Sequence, residues 1–171
     1  MSWEKIEIIR SKKRKKTVQA KVFDNNLRIY LPEGLTQKEE SKWIQKMKQQ
    51  IQKKERKQKL NDSDDLQQRA DKINKVYFKG KLDFSIQFVT NQRTKHGSCT
   101  PSSKSIRISD AIADYPQYVQ DYLIIHELTH LIYPDHSKAF WEKVNEYPCV
   151  ERAKGFLHAS EFFSKNKKTD F

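Results

Sequence analysis

The stretch Leu123-Ile-Ile-His126-Glu127-Leu-Thr-His130 places two imidazoles and a carboxylate inside an otherwise apolar segment. Its apolar residues occupy most faces of a helix, so the pattern predicts a buried helix. Because residues four apart lie on one helical face, His126 and His130 can converge on a single metal ion. Burying these polar groups without compensation is costly, and a metal ion provides that compensation.

The residues that flank this helix supply the rest of a catalytic metal site. Glu127 lies on the neighbouring helical face, where it can reach a water molecule that the metal activates. Catalytic zinc usually has three protein ligands, and His136 follows His130 by six residues. We expect His136 to project from the first turn of the next helix, leaving a fourth position open for water. The predicted zinc ligands are His126, His130 and His136, and the predicted catalytic base is Glu127.

The remaining chain shows a mixture of strand and helix patterns. Period-two alternation predicts strands over residues 3–10, 17–23, 27–31, 84–88, 93–99 and 104–109. Asp24-Asn-Asn26 is typical of a hairpin turn, and Thr36 with Glu39 forms a capping box at the start of a Lys-rich helix. Helical spacing follows over residues 66–77, 114–132, 135–147 and 149–163.

Charge is distributed unevenly along the 171 residues. The chain has 34 Lys+Arg against 22 Asp+Glu and a net charge of +12, of which residues 1–70 carry +9. We expect a basic N-terminal region over residues 1–60, a catalytic domain over 61–163 and a loose tail over 164–171. The runs Lys12–Lys16 and Lys53–Lys59 are either solvated surfaces or phosphate contacts. Neither contains an aromatic residue, so any nucleic-acid binding by them is expected to be non-specific.

Composition also limits where the protein works. No apolar run approaches the roughly 18–20 residues of a membrane span, and the N-terminus lacks the layout of a secretory signal. The two cysteines, Cys99 and Cys149, cannot form a disulfide framework, which favours a reducing compartment. We therefore expect a cytoplasmic protein that has no membrane partner.

Several motifs resemble those of the YgjP-like metal-dependent hydrolases, relatives of the SprT-like zinc proteases. They are Lys95-His-Gly-Ser-Cys99, Ile106-Arg-Ile-Ser109, His126-Glu-Leu-Thr-His130, Asp135-His-Ser137 with Phe140-Trp141, and Tyr147-Pro148. The resemblance covers most of the chain and is most specific over residues 93–157. It implies an α+β, zincin-like fold with a small antiparallel sheet, an active-site helix that carries the two histidines, and a C-terminal helical part. It also implies zinc on the three histidines and a catalytic Glu127.

The expected activity is zinc-dependent hydrolysis of a peptide or protein, with the extended substrate lying along residues 96–99. The expected substrate contacts are His96, Arg93 and Lys95. The family typically has a tryptophan where this chain has His96, so a substrate contact of that tryptophan does not carry over to this chain.

Two other functions remain open at this point. The zinc site could hydrolyse a nucleotide phosphoanhydride, with Arg93, Lys95 or Arg107 clamping phosphate. Alternatively, the protein is a DNA-associated protease, and its basic N-terminal region directs it to DNA.

Overall fold

The structure is a computed structural model that describes residues 3–92 and 95–166. The chain folds into two compact units, Met1–Gln58 and Lys59–Phe171. The predicted mixture of helices and strands is confirmed, so the fold class is α+β. Within the described residues, the helices are too short or too polar to cross a membrane.

The first unit contains a three-stranded sheet followed by a long helix. Its strands are β1 (Lys5–Ser11), β2 (Gln19–Phe23) and β3 (Asn26–Pro32), and the helix is α1 (Gln37–Asp62), whose residues 59–62 belong to the second unit. β2 and β3 form an antiparallel hairpin, whereas β1 pairs in parallel with β3. Asp24 and Asn25 have φ angles of 44° and 62°, the conformation that a two-residue hairpin turn requires.

One face of this sheet forms a small core with α1. Its buried side chains are Leu27, Ile29, Leu31 and Met47. The helix begins with the predicted capping box, because the Glu39 N–H donates to Thr36 Oγ1 and the Thr36 N–H donates to Glu39 Oε2. The Lys-rich residues 52–59 continue the same helix.

The second unit combines four helices with another three-stranded sheet. Its elements are α2 (Asp65–Phe78), β4 (Ser85–Val89), β5 (Gly97–Thr100), β6 (Ser105–Ser109), α3 (Gln117–Thr129), α4 (Lys138–Val144) and α5 (Val150–Asn166). Short 3-10 turns cover residues 101–103 and 110–114. The last helix extends three residues past its predicted end, and residues 167–171 of the predicted tail lie outside the described residues.

The second sheet is mixed, which corrects the antiparallel sheet that the family resemblance implied. β5 and β6 follow one another through a tight turn and pair antiparallel, whereas β4 pairs in parallel with β6. The strand order is therefore β4-β6-β5, with β5 at an edge. Alternation in the sequence locates strands, but it does not reveal which neighbours they pair with, so it could not test the pairing that the resemblance implied.

Helix α3 lies in the core of the second unit. Its most buried apolar residues are Val119, Leu123, Ile124, Ile125 and Leu128. The helix ends at Thr129, earlier than the predicted Ile132, because the last turn tightens. The Leu131 and Ile132 N–H groups donate to carbonyls three residues back, at 3.1 and 3.0 Å. His130 is therefore the C-cap residue and lies where the helix meets the following loop.

Asn74 closes the end of α2 and offers a test of this packing. Its side chain is buried, its Nδ2 donates to the Leu82 carbonyl at 2.9 Å, and its Oδ1 accepts from the Leu82 N–H at 3.3 Å. We expect Asn74→Ala to lower the free energy of unfolding by about 1–3 kcal/mol in denaturant titrations, since buried partners lose their hydrogen bonds. The exposed Asn145→Ala control should change it by less than about 0.5 kcal/mol. Equal effects would contradict this role.

Candidate metal centre

Two of the three predicted metal ligands project from the end of α3. His126 and His130 lie one turn apart, with ring centroids separated by 5.0 Å, and both are half-buried. The His130 Nδ1 lies 3.2 Å from the Tyr133 carbonyl oxygen, to which it donates in the neutral ring. This hydrogen bond orients the ring and leaves Nε2 as the nitrogen with a free lone pair.

The third predicted ligand, His136, reaches the same point from the loop between α3 and α4. Its Nε2 lies 3.2 Å from the His126 Nε2, and one ligand atom from each of the three histidines lies within 4.8 Å of the others. The expectation that His136 belongs to the first turn of the next helix is wrong. Ser137, an equally suitable N-cap residue, takes that position with extended backbone, so helix α4 begins at Lys138.

Two aromatic side chains behind the histidines hold them in place. Phe140 is fully buried, and its ring centroid lies 4.9, 4.5 and 4.7 Å from those of His126, His130 and His136. Trp141 stacks on His136, with an interplanar angle of 23° and centroids 5.6 Å apart. The exposed His136 ring is therefore fixed by packing on one side, although it lies in a loop.

The geometry and charge of this triad fit a zinc ion. Zinc–nitrogen bonds of about 2.0–2.1 Å in a tetrahedral arrangement separate two ligand nitrogens by about 3.3 Å. The His126 and His136 nitrogens are 3.2 Å apart, and all three ligand atoms lie within 4.8 Å of one another. Burial, reinforced by the other two imidazoles and Lys154, lowers the pKa of His126 to about 3. Burial likewise lowers the pKa of His130. Both rings are thus neutral at physiological pH, the form that binds a metal.

Glu127 lies beside the triad and is almost fully enclosed. Glu127 is only 5% exposed, and its Oε2 has no hydrogen-bond partner among the described residues. Burial raises the pKa of Glu127 to about 7, against the opposing influence of the Lys95 charge. A carboxyl with a pKa near neutrality is suited to accept and return a proton. This combination of burial and unused acceptor capacity is typical of functional groups.

Gly97 of β5 faces this carboxylate, a contact that the sequence did not reveal. A Cβ atom added to Gly97 would lie 2.5 Å from Glu127 Oε1 and 2.9 Å from both Cδ and Cγ. Only glycine therefore allows the strand to approach the glutamate so closely. The one available signal was an isolated glycine in a strand pattern, within the motif Lys95-His-Gly-Ser-Cys99.

A cleft of about 480 Å³ joins the triad, Glu127 and β5. Its walls are formed by Lys95, His96, Gly97, Ser98, Cys99, Pro101, Tyr122, Leu123, His126, Glu127, His130, Pro134, His136 and Leu157. Lys95 and His96, two of the three predicted substrate contacts, thus border the cleft. His96 Nε2 lies 3.1 Å from Glu161 Oε1 of α5. The third predicted contact, Arg93, lies outside the described residues.

The cysteine beside the cleft is not an activated nucleophile. Cys99 is half-buried, and burial followed by the charge of Glu127 raises the pKa of its thiol to about 11. A thiol with a raised pKa stays protonated and unreactive at neutral pH. His158, the remaining histidine, is exposed on α5 and does not belong to the triad.

Comparison with known proteins identifies the class of this fold and site as that of a metallopeptidase domain, and hence of a hydrolase. The matching domain is the YgjP-like metallopeptidase domain over residues 64–159, more than half of the chain. The chain therefore belongs to the YgjP-like family, and the resemblance inferred from its motifs is confirmed. Membership of a metallopeptidase family implies a divalent metal cofactor. No curated protein matches the chain.

Two solved structures are similar to part of the chain. The metallopeptidase zymogen abylysin of Pyrococcus abyssi has 21% sequence identity and a TM-score of 0.47, over 53% of this chain and 86% of that one. The metallopeptidase zymogen jannalysin of Methanocaldococcus jannaschii has 18% identity and a TM-score of 0.47, over 56% of this chain and 96% of that one.

The contact between Gly97 and Glu127 gives a test of the site. We expect Gly97→Ala to displace the glutamate and to reduce hydrolysis at least about 100-fold, the usual contribution of a positioned proton acceptor. Bound metal should stay at the wild-type level, because the three histidines are not touched. The control is Gly155→Ala in α5, where a Cβ meets no described atom within 4 Å. A Gly97→Ala variant with wild-type turnover would refute the steric role.

Proposed function

We propose that the protein is a zinc-dependent peptidase with a zincin-like active site. The supporting observation is the convergence of three histidine nitrogens beside a buried glutamate that has an unused carboxylate oxygen. In this proposal His126, His130 and His136 hold the zinc ion, and Glu127 is the catalytic base. Three protein ligands leave a coordination position open, as catalytic zinc sites require.

Each residue of the site has a distinct task in peptide hydrolysis. When bound, zinc supplies Lewis acidity, which polarises a carbonyl and increases the acidity of a water molecule. Glu127 Oε2 accepts a proton from the attacking water and returns it to the amide nitrogen of the leaving group. The Tyr133 carbonyl and the Phe140 ring keep the imidazoles oriented during this cycle. Lys95, at the cleft wall, favours the charged form of Glu127, which is the form that accepts the proton from water.

The edge strand β5 offers a place for an extended substrate. The Ser109 N–H donates to the His96 carbonyl at 2.8 Å, so His96 and Ser109 form a hydrogen-bonded pair. Bonding alternates along an antiparallel ladder, and the backbone groups of Gly97 and Cys99 therefore point away from β6. A peptide paired with these groups would run past Glu127, because Gly97 adjoins that carboxylate.

The phosphoanhydride alternative receives less support from the cleft. Of the three cations expected to clamp phosphate, Lys95 lines the cleft, whereas Arg93 lies outside the described residues. Arg107 is engaged elsewhere, since its Nη2 donates to Asn91 Oδ1 at 2.7 Å. A single described cation makes a weak phosphate clamp, and peptide hydrolysis is the function that we retain.

The cytoplasmic location stays a prediction from the sequence.

Metal analysis tests the ligand set. We expect about one equivalent of zinc in the purified wild-type protein and little in His130→Ala, since two remaining ligands bind zinc weakly. His158→Ala is the matched control, because this exposed histidine lies outside the triad. A wild-type protein that binds no divalent metal, or a His130→Ala variant that retains it fully, would refute the proposed site.

A conservative change of the base tests the mechanism separately from metal binding. We expect Glu127→Gln to keep its zinc and to lose about 10²–10⁴-fold in kcat/KM on casein, because an amide cannot accept the proton. Glu142→Gln on α4 removes the same charge from a solvent-exposed ion pair and should leave turnover unchanged. Nucleoside triphosphate turnover that depends on Glu127, with no cleavage of casein, would favour the phosphoanhydride function.

A further inference from the structure

The sheet of the first unit has a second face, on the side opposite α1. Successive side chains of a strand point to opposite faces, and Leu27, Ile29 and Leu31 of β3 occupy the α1 face. The opposite face, here called the outer face, carries Glu7, Arg28, Tyr30, Lys21 and Phe23. Phe23 is 44% exposed and Lys21 is also exposed, so this face meets solvent.

Two aromatic rings on the outer face are paired with guanidinium groups. The Arg28 guanidinium carbon lies over the Phe23 ring, 5.2 Å from its centroid. The Arg14 guanidinium carbon lies 5.3 Å from the centroid of the Tyr30 ring. Aromatic rings and arginine planes are the surfaces on which unpaired bases stack. The fold thus supplies the aromatic residues that the basic run Lys12–Lys16 lacks in sequence.

The outer face also adjoins a concentrated positive charge. Arg14 belongs to the run Lys12–Lys16, whose four lysines are all exposed in the connection between β1 and β2. The acidic residue of this face, Glu7, is engaged by Arg28 at 2.7 Å and Lys5 at 3.3 Å. Residues 1–58 contain 17 Lys+Arg against 7 Asp+Glu, so most of the chain's net charge of +12 belongs to this unit.

We propose that the outer face binds single-stranded nucleic acid. The unpaired bases stack on Phe23, on Tyr30 and on the arginine planes beside them, and the lysines of the 12–16 run contact the phosphates. A duplex keeps its bases within its own stack and offers the rings no exposed base face, so it gains no stacking energy here. An acidic peptide would complement the charge but has no planar bases to stack on the rings. This binding site lies outside the metallopeptidase domain and does not depend on the proposed peptidase activity.

The charge contribution is tested by fluorescence anisotropy on the full chain. The probe is oligothymidylate of about 16 nucleotides, compared with a duplex of equal length. Changing Lys12, Lys13, Lys15 and Lys16 to Gln should weaken binding strongly. It should also make the slope of the logarithm of the binding constant against the logarithm of salt concentration shallower by up to about 3. The matched control changes Lys53, Lys54, Lys57 and Lys59 of the second basic run to Gln, which lowers the net charge by the same amount. We expect the control to bind nearly as the wild type does.

Stacking is tested by the double variant Phe23→Leu and Tyr30→Leu, which keeps apolar bulk but removes both rings. It should bind oligothymidylate about 10- to 100-fold more weakly and leave duplex binding unchanged. Circular dichroism and bound metal should match the wild type, and the lysine variants test the same face without altering its packing. Equal losses in both lysine variants, unchanged binding by the double variant, or duplex binding as tight as single-strand binding would overturn the proposal.

Discussion

His126 and Glu127 are adjacent residues of one buried helix, and burial acts on them in opposite senses. Removal from water takes the charge away from the imidazole, whose pKa falls to about 3, and so prepares it to donate a lone pair. The same removal raises the pKa of the carboxyl to about 7 and makes its charged form expensive. In the second unit a cleft opens on one side of α3, next to both of these side chains. The other faces of the helix pack in the apolar core.

The packing around α3 fixes the positions of the side chains that this chemistry requires. The Phe140 ring contacts all three imidazoles, so a loop histidine and two helix histidines share one rigid support. In the sheet, Gly97 brings the backbone of β5 against Glu127. The sheet and helix α3 therefore meet at Glu127. This side chain limits how closely the edge strand β5 approaches the helix, and the proposed substrate would lie beside it.

Local patterns in the sequence predicted the elements and most of the candidate site. The capping box at Thr36, the hairpin at Asp24 and the helix that carries His126 all depend on neighbouring residues, which a sequence displays directly. The parallel pairing of β4 with β6 and the contact of Gly97 with Glu127 depend on residues far apart in sequence. The prediction that His136 lies on a helix depends on Asp135 as the N-cap residue, whereas Ser137 takes that position in the structure.

The two hydrophobic cores, one around Leu27 and Met47 and the other around α3, have no described residue in common. Residues that share no packing partners contribute to stability almost independently. Substitutions in the sheet of the first unit can therefore accumulate without loosening the packing behind the histidines. A substitution in one core and a substitution in the other are therefore expected to change the free energy of unfolding additively.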